Sequence, residues 1–174
     1  MEGNTVDFLV DNHRVDRDQV DLLIANGHAE WGNGSQYKEL MGVARARGFQ
    51  EEETYAWVST QVDLQNFADY QFFQVFFANT DNGNIRFWRT RGPEGHWRWI
   101  LYDLDWAWRY IDPNTVAYAT LPQGTGANKA FRTVLLRNLL KNAEFEEMFL
   151  RLCGLHLQET FDPPRTLGMI DNLA

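Results

Sequence analysis

Over 62–78 apolar residues recur at helical spacing: Leu64, Phe67, Ala68, Phe72, Val75 and Phe76. Asp63 stands just ahead as a capping or first-turn carboxylate. The spacing predicts a helix. Its C-terminal half is apolar over most of its surface, which marks a central, buried element. A second helix is predicted over 37–47, with Leu40, Met41, Val43 and Ala44 inward and Gly48 stopping it. Shorter helices are expected over 16–26, from Val20, Leu22, Leu23 and Ile24, and over 51–58. Residues 28–36, rich in Gly and Asn, read as a loop. Three more helical stretches, 128–141, 143–157 and 164–173, close the chain, separated by Asn142 and by Phe161-Asp162-Pro163. Pro113, Pro122 and the Gly124-Thr125-Gly126 turn make the segment after Trp108 irregular.

Between 84 and 104 the rhythm changes. Ile85 to Thr90 and Trp97 to Leu104 flank a turn at Gly92-Pro93-Glu94-Gly95, and both runs carry aromatic residues on both faces. That pattern predicts a strand pair covered on both sides. Pairing symmetric about Pro93-Glu94 puts Asn84 opposite Asp103, with Asp81 and Asp105 flanking them at the open end. Carboxylates that close repel one another unless a proton or a cation intervenes. Oxygen ligands in that number suit Mg²⁺ or Mn²⁺ far better than zinc. The fold class expected is α+β, mostly helical, with a buried hairpin carrying an acidic metal site.

Each half of that cluster has a plainer reading. Asn79-Thr80-Asp81-Asn82-Gly83-Asn84 on its own is a polar turn after a helix. It is not an EF-hand, because Gly83 falls where a ligand is needed and Thr90 where a bidentate Glu is required. Asp103 and Asp105, set among apolar and aromatic residues, call for a partner, which is either a metal or an ion pair with Arg86 or Arg98.

The 174 residues suffice for one domain with a sizeable core. A net charge of −8 argues against general nucleic-acid binding, although a metal can offset it locally for one nucleotide. Seven Trp, six Tyr and twelve Phe promise a bulky, rigid core. Cys153 has no partner for a disulfide and reads as a small apolar helix residue. The four His lack ligand spacing, no apolar run is long enough to span a membrane, and neither a phosphate loop nor a Gly-x-Ser-x-Gly elbow occurs.

Three segments together resemble the spore coat protein H (CotH) kinase family. They are Val62-Asp63-Leu64-Gln65-Asn66-Phe67-Ala68-Asp69-Tyr70, then Asn79-x-Asp81-x-x-Asn84, then Trp99-Ile100-Leu101-Tyr102-Asp103-Leu104-Asp105-Trp106-Ala107-Trp108. The run Leu139-Leu140-Lys141-Asn142 to Phe149 also fits, so the resemblance covers roughly 60–170. It implies an atypical kinase-like fold that uses ATP and Mg²⁺ or Mn²⁺ to phosphorylate protein serine, in a bacterial spore-coat or envelope setting. By position, Asp81 resembles the catalytic-loop aspartate, Asn84 a metal-binding asparagine, and Asp103 the aspartate that holds metal and nucleotide. On the same resemblance Asp105 is expected to be a second metal ligand or a structural one. No glycine loop or lysine suited to grip ATP is evident: Lys38, Lys129 and Lys141 lack the context, and residues 1–60 read as a helical and loop lead-in. The chain is therefore expected to be a kinase-like C-terminal lobe cut from a longer protein and inactive by itself. Two other classes compete, a catalytically dead scaffold and a carbohydrate-binding or glycoside-cleaving domain built on Trp faces and paired acids.

Overall fold

Val20–Ile24, expected to be helical, forms instead the strand β1 at the centre of a sheet. The computed structural model describes residues 5–79, 81, 84–109, 114–121 and 130–172. Gly124-Thr125-Gly126, Lys129 and the ends of the helices expected over 128–141 and 164–173 lie outside the described residues. β1 runs antiparallel to β2 (His28–Trp31) on one side and β3 (Arg86–Thr90) on the other, and β3 pairs with β4 (Arg98–Ile100). The order is β2-β1-β3-β4. The expected loop over 28–36 thus contains a strand. Tertiary packing overrides a short local pattern here. Val20 and Leu22 bury on one face of the sheet and Leu23 on the other, so β1 shows no clean alternation. The turn between β1 and β2 places Ala25 at φ 50° and Gly27 at φ 92°, and its Asn26-Gly27 dipeptide is a hairpin signal.

The helices expected over 37–47, 51–58, 62–78 and 143–157 form close to those bounds, whereas Val6–His13 is not among the expected helices and Thr115–Thr120 lies in the segment after Trp108 that reads as irregular. α1 (Val6–His13) precedes the sheet, and α2 (Ser35–Ala46) and α3 (Glu52–Gln61) follow β2. α4 (Leu64–Phe76) is the central helix, and Asp63 caps it by accepting a hydrogen bond from the Asn66 amide. After β4 come α5 (Thr115–Thr120), α6 (Ala130–Leu139), α7 (Ala143–Leu155) capped by Asn142, a π-turn over His156–Thr160, and α8 (Pro163–Asp171). Mixed helix and a small antiparallel sheet make the fold α+β.

Both faces of the sheet are covered, as the aromatic pattern of the hairpin requires. Leu23, Phe87, Trp97 and Trp99 face a core with Phe67 and Tyr70 of α4, Leu40 of α2, Leu135 and Leu139 of α6, and Phe145 and Leu152 of α7. Trp88, Val20 and Leu22 pack on the other side against Val6 and Leu9 of α1. Phe87 stacks on Trp99 with centroids 5.4 Å apart. Burying an aliphatic or aromatic side chain of this size contributes about 1.5–3 kcal/mol, so this two-sided core fixes the hairpin.

The outer edge of β4 is occupied too. Trp97 donates to the Gln61 carbonyl and accepts from the Asp63 amide. Asn66 then pairs with both backbone groups of Trp99. Arg98 reaches Asp63 at 2.9 Å. The start of α4 is therefore stitched along β4.

Candidate active site

α4 and the hairpin deliver opposite walls of one site. At the end of α4 the Ala78 amide bonds the Val75 carbonyl and the Asn79 amide the Gln74 carbonyl, a Schellman closure with Ala78 at φ 50°. The closure turns the chain sharply to Asn79, which is buried. Its Oδ1 accepts the Asp81 amide at 3.1 Å, a local turn that fixes where Asp81 stands.

The other wall begins where β4 ends. The ladder pairs Arg86 with Ile100, Phe87 with Trp99 and Trp88 with Arg98. This register is one residue away from the symmetric pairing expected, and the strands are shorter. In it Asn84 does not face Asp103 across the sheet. The chain leaves the ladder after Ile100, and Asp103 adopts a left-handed conformation at φ 55°. That turn brings the two side chains together regardless. Asn84 Nδ2 donates to Asp103 Oδ2 at 2.6 Å and to Asp81 Oδ2 at 3.0 Å. Asn84 is thus a bridge between two carboxylates that would otherwise repel.

Asp105 joins them from the far side of Asp103. The Asp103 carboxyl is raised above its ordinary pKa by partial desolvation first, then by the charge of Asp105, a hydrogen bond with Asp105 and the charge of Asp81, while the Asn84 bond opposes the rise. Asp103 and Asp105 are nonetheless exposed, not embedded as the apolar flanks suggested. Neither makes an ion pair among the described residues; Arg86 pairs with Glu30 at 2.8 Å and Arg98 with Asp63. The structural ion-pair reading of these aspartates is therefore not what the fold uses.

A latch holds the second wall against the first. Trp108 donates its amide to the Phe77 carbonyl at 2.8 Å and its indole N–H to the Phe76 carbonyl at 3.2 Å. It thereby occupies two of the carbonyls left open at the end of α4. The segment carrying Asp103 and Asp105 is clamped to the helix end that carries Asn79 and Asp81. The family to which the chain is matched is described as CotH kinase protein, over residues 26–174. The chain belongs to the CotH kinase family. No curated protein and no solved structure matches it.

In this CotH chain the match extends well upstream of residue 60, taking in β2, α2 and α3. Asn84 bonds both Asp81 and Asp103, and Asp105 lies against Asp103. Among the described residues no three His, Cys, Asp or Glu side chains are grouped to hold a metal by themselves. The oxygens on offer are the Asn84 amide oxygen and the carboxylates of Asp103 and Asp105. This donor set fits a hard cation that keeps waters and shares substrate phosphates, the usual state of Mg²⁺. The hairpin tryptophans Trp88, Trp97 and Trp99 are buried and form no sugar platform. No helix among the described residues is long and apolar enough to cross a membrane.

Three positions of the CotH chain carry roles that sequence reasoning left unassigned. Asn79 and Trp108 position the two walls. His156, one of the four His without ligand spacing, donates from Nε2 to Asp69 Oδ1 at 2.7 Å and stacks on Phe72 with centroids 4.8 Å apart. It ties the π-turn to α4. Spacing alone gives no hint of that pair, since 87 residues separate its members.

Proposed function

We propose that this CotH chain is the catalytic lobe of an atypical protein kinase, transferring the γ-phosphate of ATP to protein serine with Mg²⁺ or Mn²⁺. The observation that carries the reading is the Asn84 bridge, which sets the carboxylates of Asp81 and Asp103 side by side with the Asn84 amide between them. Bound ATP and divalent cation would supply the electrophilic phosphoryl group and neutralise the charge that develops on it. The residues present have the remaining tasks. Asp103 and Asn84 hold the cation and nucleotide, with Asp105 as a second ligand. Asp81, fixed by Asn79, orients the serine hydroxyl and takes its proton. Phosphoryl transfer asks mainly for this kind of positioning and charge neutralisation.

A grip on the ATP phosphates is the remaining need. Lys141 bonds Asn138 on α6 and Lys38 lies on α2, while Lys129 lies outside the described residues, so neither described lysine is proposed as the grip. The test is transfer of labelled phosphate to protein serine by the whole protein. Asp81→Asn and Asp103→Asn should each cut transfer by on the order of 10²–10³-fold, the usual loss for a group acting in the transition state; wild-type rates in either variant would end the assignment.

A further inference from the structure

At the turn end of the hairpin, remote from the acidic cluster, Arg89 lies 2% exposed on β3. Burying a guanidinium is costly unless it is paired. Its Nε donates to the Thr90 carbonyl and its Nη2 to the Gly92 carbonyl, both at 3.1 Å, and it lies 5.7 Å from the centre of the Trp97 ring. No carboxylate is within ion-pair distance among the described residues. Asp21 is paired with Arg89 in strand register and is itself buried, but its Oδ1 is committed to Arg91 Nε and the Asn33 amide, each at 2.9 Å. Asp21 thus serves Arg91, and the buried guanidinium of Arg89 has no carboxylate in contact among the described residues. Desolvation lowers the Arg89 pKa, while Asp21 at longer range raises it.

This guanidinium faces a pocket of about 230 Å³ bounded by Arg89, Gln36, Thr60, Gln61, Gly92 and Pro93. Three separate elements, the hairpin turn, the start of α2 and the end of α3, supply that lining. Gly95 closes the turn against Arg89: a Cβ there would meet the Thr90 carbonyl oxygen at 1.8 Å and Arg89 Nη2 at 3.1 Å. Arg89 Nη1 makes no hydrogen bond, yet Trp97 Nε1 is the only sealed side-chain nitrogen without a partner among the described residues. The guanidinium therefore opens into the pocket. Gln36 contributes a side-chain amide with no hydrogen bond, and Gln61 Nε2 a donor that uses one of its two hydrogens on Thr60. A buried planar cation ringed by neutral amides and a hydroxyl is suited to an oxyanion and has nothing to offer a cation.

We propose that this pocket is a binding site for a phosphate-sized oxyanion, held by Arg89 with the amides of Gln36 and Gln61. The occupant is either free phosphate or a phosphate monoester on a side chain. The test is an NMR titration of the chain with sodium phosphate and with O-phosphoserine, against sodium chloride at equal ionic strength. Saturable shifts at the Arg89 Nε–H and the Gly92 and Gly95 amides are expected with the first two and not with chloride. Tenfold tighter binding of phosphoserine assigns the site to a phosphorylated side chain, and the reverse order to the free anion. Gln36→Glu and Gln61→Glu, at accessible positions that leave the fold intact, place a carboxylate beside Arg89. Each should weaken phosphate binding at least tenfold and raise the unfolding midpoint by supplying the missing counter-charge. Shifts no larger than those with chloride, or phosphate binding unchanged in both variants, would overturn the proposal and leave Arg89 as a fastener of the turn alone.

Discussion

Asn66 holds Trp99 by both of its backbone groups: its Oδ1 accepts the Trp99 amide at 2.6 Å and its Nδ2 donates to the Trp99 carbonyl at 3.2 Å. A side chain on the central helix thus does the work of a fifth strand at the edge of β4. Because α4 leads to Asp81 and β4 to Asp103, this staple joins the two supports of the site. Asn66→Ala leaves a strand amide and carbonyl without partners, and the cost of such unsatisfied groups is about 1–3 kcal/mol each when buried. A loss of on the order of 2–3 kcal/mol in urea denaturation is predicted. A change under a few tenths would mean that water replaces Asn66 freely.

Ala78 occupies the left-handed position of the Schellman closure, where glycine is the ordinary choice. Glycine there removes the Cβ conflict but adds freedom to the unfolded chain. Ala78→Gly is predicted to stabilise the protein by roughly 0.5–1 kcal/mol, since the steric cost of about 1–2 kcal/mol outweighs the added entropy. Chemical denaturation of the two proteins side by side measures it, and a destabilised variant would show that the turn is held by something other than local geometry.

Asp103 makes metal-free stability depend on pH. Its carboxyl titrates higher in the folded protein than in the unfolded chain. The folded state therefore holds this proton more tightly, and the stabilising contribution is complete below the unfolded pKa, near 3.9. It is lost as the pH rises through the folded value, leaving the charges of Asp81, Asp103 and Asp105 in opposition. Asp103→Asn should melt higher than the wild type at pH 7 without divalent cation, and the difference should shrink towards pH 3. A variant that melts lower at pH 7 would show that the ionised carboxylate is structurally wanted.

The central and C-terminal helices were legible because their signals are local: the spacing of Leu64, Phe67, Ala68, Phe72 and Val75, the cap Asp63 and the break at Asn142 need no tertiary information, whereas α1 and the short α5 were not legible. β1 was not, since Val20, Leu22, Leu23 and Ile24 are apolar on both faces and a five-residue run of that kind fits helix or strand equally. The strongest cue against a helix, Asn26-Gly27, lay just beyond it. For the candidate site, the meeting of Asn84 with Asp103 was anticipated by a register that proved one residue off. The left-handed turn at Asp103 made up the difference, and no residue type announces that turn. Exposure of Asp103 and Asp105 was hidden for the same reason: the sequence around them looks like strand, but the ladder stops at Ile100.

The central claim is that Asn84 and Asp103 form a divalent-cation site, and calorimetric titration of Mn²⁺ with ATP present tests it most directly. One equivalent should bind the wild-type chain, with binding lost in Asp103→Asn and weakened in Asn84→Ala. Mn²⁺ binding of equal strength in the wild type and Asp103→Asn, or none in the wild type even with ATP, would contradict it.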